Sequence, residues 1–196
     1  LLTSGTNALT IARTTGQGQT GAGHLYYTAH LKTYLPVREV EPLNRGFTVS
    51  RDYRLADCGN TDPKAKCPTI AQAKVGDVIE VTVNVVVPHT SHYVIVEDPI
   101  PAGTEIVNTN LRTTDQTIQG PDVQQTDAND KLGWWWTPTH IDLRDEKAVM
   151  FATTLEPGTY EFTYSIRASL PGTFLTLPVT AYQMYFPEVW GRGAGG

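Results

Sequence analysis

Strict two-residue alternation of apolar and polar side chains is what most limits the folds open to this chain. From 159 to 167, Tyr160, Phe162, Tyr164 and Ile166 alternate with Thr159, Glu161, Thr163, Ser165 and Arg167. From 79 to 87, Ile79, Val81, Val83, Val85 and Val87 alternate with Glu80, Thr82, Asn84 and Val86. Successive side chains of a strand point to opposite faces, so each run reads as a strand with one face in a core and one toward water. No window sustains the apolar stripe of an amphipathic helix.

Further strands are expected over 46–53, 93–97, 140–143, 148–153 and 179–186, which brings the count to seven. Turn chemistry separates them at Val75-Gly76-Asp77, Pro88-His89-Thr90, Glu156-Pro157-Gly158 and Pro171-Gly172, and residues 142–147 read as a tight hairpin. The expected fold is all-β, a seven-stranded two-sheet antiparallel sandwich. Two more strand-like runs, 7–13 and 24–35, flank a Gly/Thr/Gln-rich linker and are expected as an N-terminal pair of extra strands. The domain boundary is placed between 1–37 and 38–196, and the polar stretch 104–133 reads as a surface or interface excursion. Leu1-Leu2-Thr3 reads as an interior boundary with targeting information upstream, and the glycine-rich ending as the C-terminus of a larger secreted protein.

Among 196 residues, 20 acidic and 15 basic side chains give a net charge of -5, which argues against a nucleic acid or an anionic membrane as partner. No apolar run is long enough to insert in a bilayer. Cys58 and Cys67 enclose a Gly/Asn/Asp/Pro-rich stretch and read as a disulfide pinning a surface loop, hence an oxidising compartment, with two free thiols as the alternative. A zinc site would need two further ligands that the local sequence does not offer.

His89 and His92, with Glu97 or Asp98, have the composition of a metal site. A spacing of three in a strand sends the two histidines to opposite faces, so solvated turn residues are expected and no metal. No nucleophile elbow, phosphate loop or defensible carboxylate pair is present, so neither catalysis nor a cofactor is expected. Trp134, Trp135 and Trp136 must face both sides of a strand. They read as one core ring with two packed against the long loop, or as cover for an interdomain surface. In the run 179–186, Met184 and Tyr185 are expected at a strand tip, one facing in and one facing out.

Several segments, in order, resemble the tenth macroglobulin-like domain, the C-terminal one, of bacterial alpha-2-macroglobulins. They are Asn44-Arg45-Gly46-Phe47-Thr48-Val49, Val75-Gly76-Asp77-Val78-Ile79, Val96-Glu97-Asp98-Pro99-Ile100-Pro101-Ala102-Gly103, His140-Ile141-Asp142-Leu143, Leu155-Glu156-Pro157-Gly158-Thr159-Tyr160 and Met184-Tyr185-Phe186-Pro187-Glu188-Val189-Trp190-Gly191-Arg192. The resemblance covers about 38–196, and 24–35 resembles the last strand of the split, CUB-type domain that carries the thioester domain. It implies a macroglobulin, immunoglobulin-like sandwich that is not an enzyme, in a periplasmic, cell-surface or extracellular broad-spectrum proteinase trap. In that family, bait cleavage exposes a Cys-Gln thioester that bonds covalently to the proteinase. The reactive Cys-x-Glu-Gln motif is absent here.

The resemblance also implies that the thioester domain of the same polypeptide is the direct partner, with target proteinases reached only through the full-length protein. Met184 and Tyr185, with Tyr182 as a weaker third, are the residues it points to as a shield over the thioester. The alternative is an immunoglobulin-like module of a bacterial surface adhesin, which tandem copies upstream would reveal.

Overall fold

The structure, a computed structural model, describes residues 7–11, 24, 26–30, 34–58, 67–109, 114, 117–126 and 140–196. The chain divides into two compact units, Leu1–Tyr34 and Leu35–Gly196. In the first unit the extra strands expected over 7–13 and 24–35 do not form among the described residues, which belong to no ladder. Leu9, Tyr26 and Tyr27 are exposed there, and two runs that cover no core have little to hold them as a sheet.

In the second unit a 3-10 turn, Val37–Glu39, precedes eleven strands. These are β1 (Leu43–Arg45), β2 (Thr48–Leu55), β3 (Val78–Val87), β4 (Ser91–Pro99), β5 (Thr104–Ile106), β6 (Asp122–Gln125), β7 (His140–Leu143), β8 (Lys147–Leu155), β9 (Gly158–Ala168), β10 (Thr180–Gln183) and β11 (Phe186–Arg192). One sheet runs β1-β11-β10-β4-β8-β7, and the other β2-β3-β9-β5 with β6 also pairing β9. All ladders between these strands are antiparallel. The all-β two-sheet sandwich is therefore present, with eleven strands in place of seven.

The extra strands have physical causes. The strand expected over 46–53 begins at Thr48, and a separate strand, β1, precedes it because the chain changes sheets between them: β1 pairs β11 in one sheet, and β2 pairs β3 in the other. Gly46, at φ +125, makes the corner, and any Cβ there would collide with the Val189 side chain. The polar excursion after Gly103 supplies β5 and β6, which share the open edge of β9, and Ile106 and Val123 pack against the core from there. Such short edge strands carry too few alternations to register as sequence patterns. The run 179–186 is cut by a turn described below.

The alternations of β3 and β9 face as expected: Ile79, Val81, Val83, Val85 and Val87 are buried, as are Tyr160, Phe162, Tyr164 and Ile166. From the other sheet come Val94, Val96, Ala148, Met150, Ala152 and Ala181. Rings from one inner face and small side chains from the other fill the same layer, as close packing between two sheets requires. Each large apolar side chain buried here contributes about 1.5–3 kcal/mol. Cys58 and Cys67 form a disulfide with Cα atoms 5.9 Å apart, and no described cysteine is free.

Candidate functional site

β10 lies between β4 and β11, so its loop to β11 is held from both sides. The register shows the loop to be two residues, Met184 and Tyr185, with Gln183 opposite Phe186. Two-residue hairpins favour turns with positive φ, yet neither residue has one. A turn of the opposite hand splays its strands, and the register breaks at once: Tyr182 pairs Trp190 while Gln183 pairs Phe186, which leaves 187–189 as a bulge in β11. The expectation of one residue in and one out is corrected here. Met184 is 44% exposed and Tyr185 65%, because both sit in the turn rather than in a strand.

Two contacts, both from Tyr93, fix this turn. The Met184 N–H donates to the Tyr93 carbonyl oxygen at 2.9 Å. The Tyr93 and Tyr185 rings meet edge to face, centroids 5.0 Å apart at 88°, the arrangement that aromatic quadrupoles favour. Tyr93 itself has φ 52, alone among the described non-glycine residues in being positive. That conformation costs a side-chain-bearing residue about 1–2 kcal/mol. Its partner strand continues past it, His92 opposite Thr154 and Val94 opposite Ala152. With Phe186 at 54% and Tyr93 at 42%, the turn presents four exposed apolar side chains together. Isolated exposed apolar residues are ordinary on a sheet protein, whereas a cluster marks a contact surface.

Tyr182 occupies a different place. It precedes the turn on the outer face of its sheet, opposite Ile95 on one side and Trp190 on the other. The row continues from Ile95 to Phe151, so half-buried apolar side chains cross four strands in register. Burial pushes the Tyr182 phenol upward, and the Glu97 carboxylate adds to this while Lys147 opposes it. Glu97 and Lys147 are themselves paired at 2.7 Å. Trp190 carries the Arg192 guanidinium 5.8 Å from its ring centroid. Trp134, Trp135 and Trp136 lie outside the described residues.

His89 and His92 are exposed, and His92 Nδ1 lies 3.1 Å from Thr154 Oγ1. Among the described residues no three His, Cys, Asp or Glu side chains converge on a metal-sized site. Asp98 instead takes part in a buried ion pair between the two sheets. The Arg51 guanidinium donates to Asp98 Oδ1, to the Pro99 carbonyl at 3.2 Å and to the Leu177 carbonyl at 3.0 Å. Tyr164 Oη donates to Asp98 Oδ2 at 2.7 Å.

Burial pushes the Asp98 carboxyl up from the ordinary range, and Arg51 and the Tyr164 hydroxyl oppose that rise. A cleft of about 290 Å³ lies beside this pair, lined by Pro42, Val49, Arg51, Tyr53 and Gly195; Arg51, its charged side chain, is already committed to Asp98. The sequence signal for the pair was available: Val94, Val96 and Asp98 continue one inward alternation, and Val49 and Arg51 another. An acid and a base appearing at apolar positions of two strands call for each other.

The Tyr53 and Tyr164 phenols are both pushed well up, chiefly by burial. A group whose folded pKa is raised contributes stability that is complete below its unfolded value, near 10 for tyrosine, and is lost above it. Alkaline titration is therefore expected to leave Tyr53 and Tyr164 un-ionised until the sheets separate. Tyrosinate absorbance followed beside circular dichroism checks this. Full tyrosinate absorbance on a still-folded chain would contradict it.

The comparisons with known proteins agree with this architecture. A cyanobacterial protein, the alpha-2-macroglobulin homolog of Nostoc sp., is 28% identical over 119 residues, 61% of this chain and 6% of its own length. The circularly permutated Ras protein 2 of Dictyostelium discoideum is 28% identical over 181 residues, 88% of this chain and 4% of its own. The solved structure of Escherichia coli alpha-2-macroglobulin activated by porcine elastase superposes with a TM-score of 0.62 at 21% identity. It covers 80% of this chain and 13% of that one, a likeness of fold. This chain thus spans a small part of each of these proteins. Residues 46–188, from the sheet-switching glycine to the bulge behind the Met184–Tyr185 turn, match the bacterial alpha-2-macroglobulin MG10 domain, and the chain belongs to that family.

Proposed function

We propose that this domain is a non-catalytic structural element of a larger bacterial alpha-2-macroglobulin, and that its Met184–Tyr185 turn shields a thioester carried by another domain of the same polypeptide. The observation that carries the reading is the turn itself, which projects a thioether and a phenol ring from a hairpin braced by neighbours on both sides. A thioester is lost when water or an amine reaches its carbonyl carbon. A polarizable thioether and an aromatic ring exclude water while offering no competing nucleophile. Tyr182 backs this surface from β10, two residues before Met184.

In this reading residues 1–37 are the tail of a preceding split domain. The full-length protein traps proteinases by bait cleavage and thioester transfer, in the periplasm, at the cell surface or outside the cell. The disulfide fits such an oxidising place. Among the described residues no helix is long and apolar enough to cross a membrane.

In the full-length protein, replacing Met184 and Tyr185 together by Ala is expected to speed loss of the methylamine-reactive thioester by about tenfold, equivalent to about 1.4 kcal/mol of protection. The reactive fraction is followed by labelled methylamine uptake over time. Decay at the wild-type rate would sink the shielding role.

A further inference from the structure

We infer that Tyr93, which sits on a different strand from the proposed shield, is the residue that positions it. This rests on the shielding role of Met184 and Tyr185 proposed above. Tyr93 meets the turn twice, with its backbone carbonyl on the Met184 N–H at 2.9 Å and with its ring against the edge of Tyr185 at 5.0 Å. Both contacts depend on the same unusual backbone, φ 52 at the third residue of β4.

Glycine is the residue that adopts this conformation without cost, so a tyrosine here stands against local preference. A ring that served only to fill the surface would not need such a backbone, and the register of β4 on β8 is the same on either side of Tyr93, which itself has no partner in that ladder. What the strained tyrosine adds is a wall beside Tyr185. A two-residue turn whose own φ values are all negative, followed by a bulge at 187–189, has little intrinsic means of holding its tip in one place. The edge-to-face contact supplies that restraint, so Tyr185 is presented already ordered to whatever it covers.

The test separates backbone from ring. Tyr93→Gly accepts the positive φ and keeps the carbonyl that receives Met184, but lacks the ring. Tyr93→Asn, which also tolerates that φ, serves the same purpose should the glycine variant fold poorly. In the full-length protein both are expected to melt within about 3 °C of wild type. Both are nonetheless expected to lose methylamine-reactive thioester roughly three- to tenfold faster. Tyr93→Phe keeps ring and edge contact, and is expected to match wild type in both measurements.

A merely structural tyrosine would make melting and decay move together, and that result overturns the proposal, as does failure of both variants to fold. If Tyr93→Gly and Tyr93→Asn decay at the wild-type rate while the Met184/Tyr185 double alanine variant decays faster, the shield stands and Tyr93 does not position it. If the double alanine variant is also unchanged, the shielding reading itself falls.

Discussion

Replacing Asp98 by Asn is expected to lower the stability of the Leu35–Gly196 unit by about 3–5 kcal/mol. The side chain is fully buried and Arg51 nearly so, at 0% and 6% exposure. Asparagine keeps one acceptor oxygen, which can serve Arg51 or Tyr164 Oη but not both, and the guanidinium is left inside the sandwich with no counter-charge beside the Pro99 and Leu177 carbonyls. An uncompensated buried cation costs far more than the pair contributes, because desolvation is no longer offset by attraction.

The companion variant distinguishes a pair that stabilises from one that specifies. Replacing Arg51 by Met and Asp98 by Leu together removes both charges, and is expected to recover most of the loss. Urea unfolding of the single and double variants measures this. A loss below about 1 kcal/mol for Asp98→Asn would show that water reaches the pair and screens it.

How much of this was legible beforehand depended on the range of the interactions involved. The two long strands were readable because Val81, Val83 and Val85, or Tyr160, Phe162 and Tyr164, write their burial into a local pattern of period two. The sheet switch at Gly46 was not, since it follows from β11 packing beneath the corner, some 145 residues later in the chain. The hairpin at Met184–Tyr185 was missed for a different reason: neither residue carries turn chemistry, and its neighbours alternate well enough to read as one strand. Tyr93 left no trace either, because backbone strain at a tyrosine has no sequence signature. The Arg51–Asp98 pair is legible by the same alternation that locates the core, because a base and an acid stand at inward-facing positions of two strands.

Gly191→Val is the second variant with a large expected effect, about 3 kcal/mol of destabilisation. Gly191 is buried in β11, between Asn44 of β1 and Ala181 of β10. A Cβ built there would run into the carbonyl oxygen of Phe47, just past the sheet-switching corner. Its φ is not in the left-handed region, so the glycine is required by space alone. The obstacle is backbone, which cannot swing away as a side chain tip does. Gly191→Ala is therefore expected to be costly as well, and Val worse.

The same reasoning predicts that trimming the Phe47 side chain gives no relief. In a double-mutant cycle with Phe47→Leu the coupling is expected to stay under about 0.5 kcal/mol, whereas a collision with the ring would give a clearly favourable coupling. The result bears on function because β11 is the return arm of the hairpin. One end of that arm is seated by Gly191 against the corner of the other sheet, and the opposite end carries the Met184–Tyr185 turn. Tight backbone packing at the seat and a strained tyrosine beside the tip thus hold the two ends of one element. A variant that lifts the seat should loosen the Tyr93–Tyr185 ring contact as it lowers stability, whereas Tyr93→Gly loosens the tip alone.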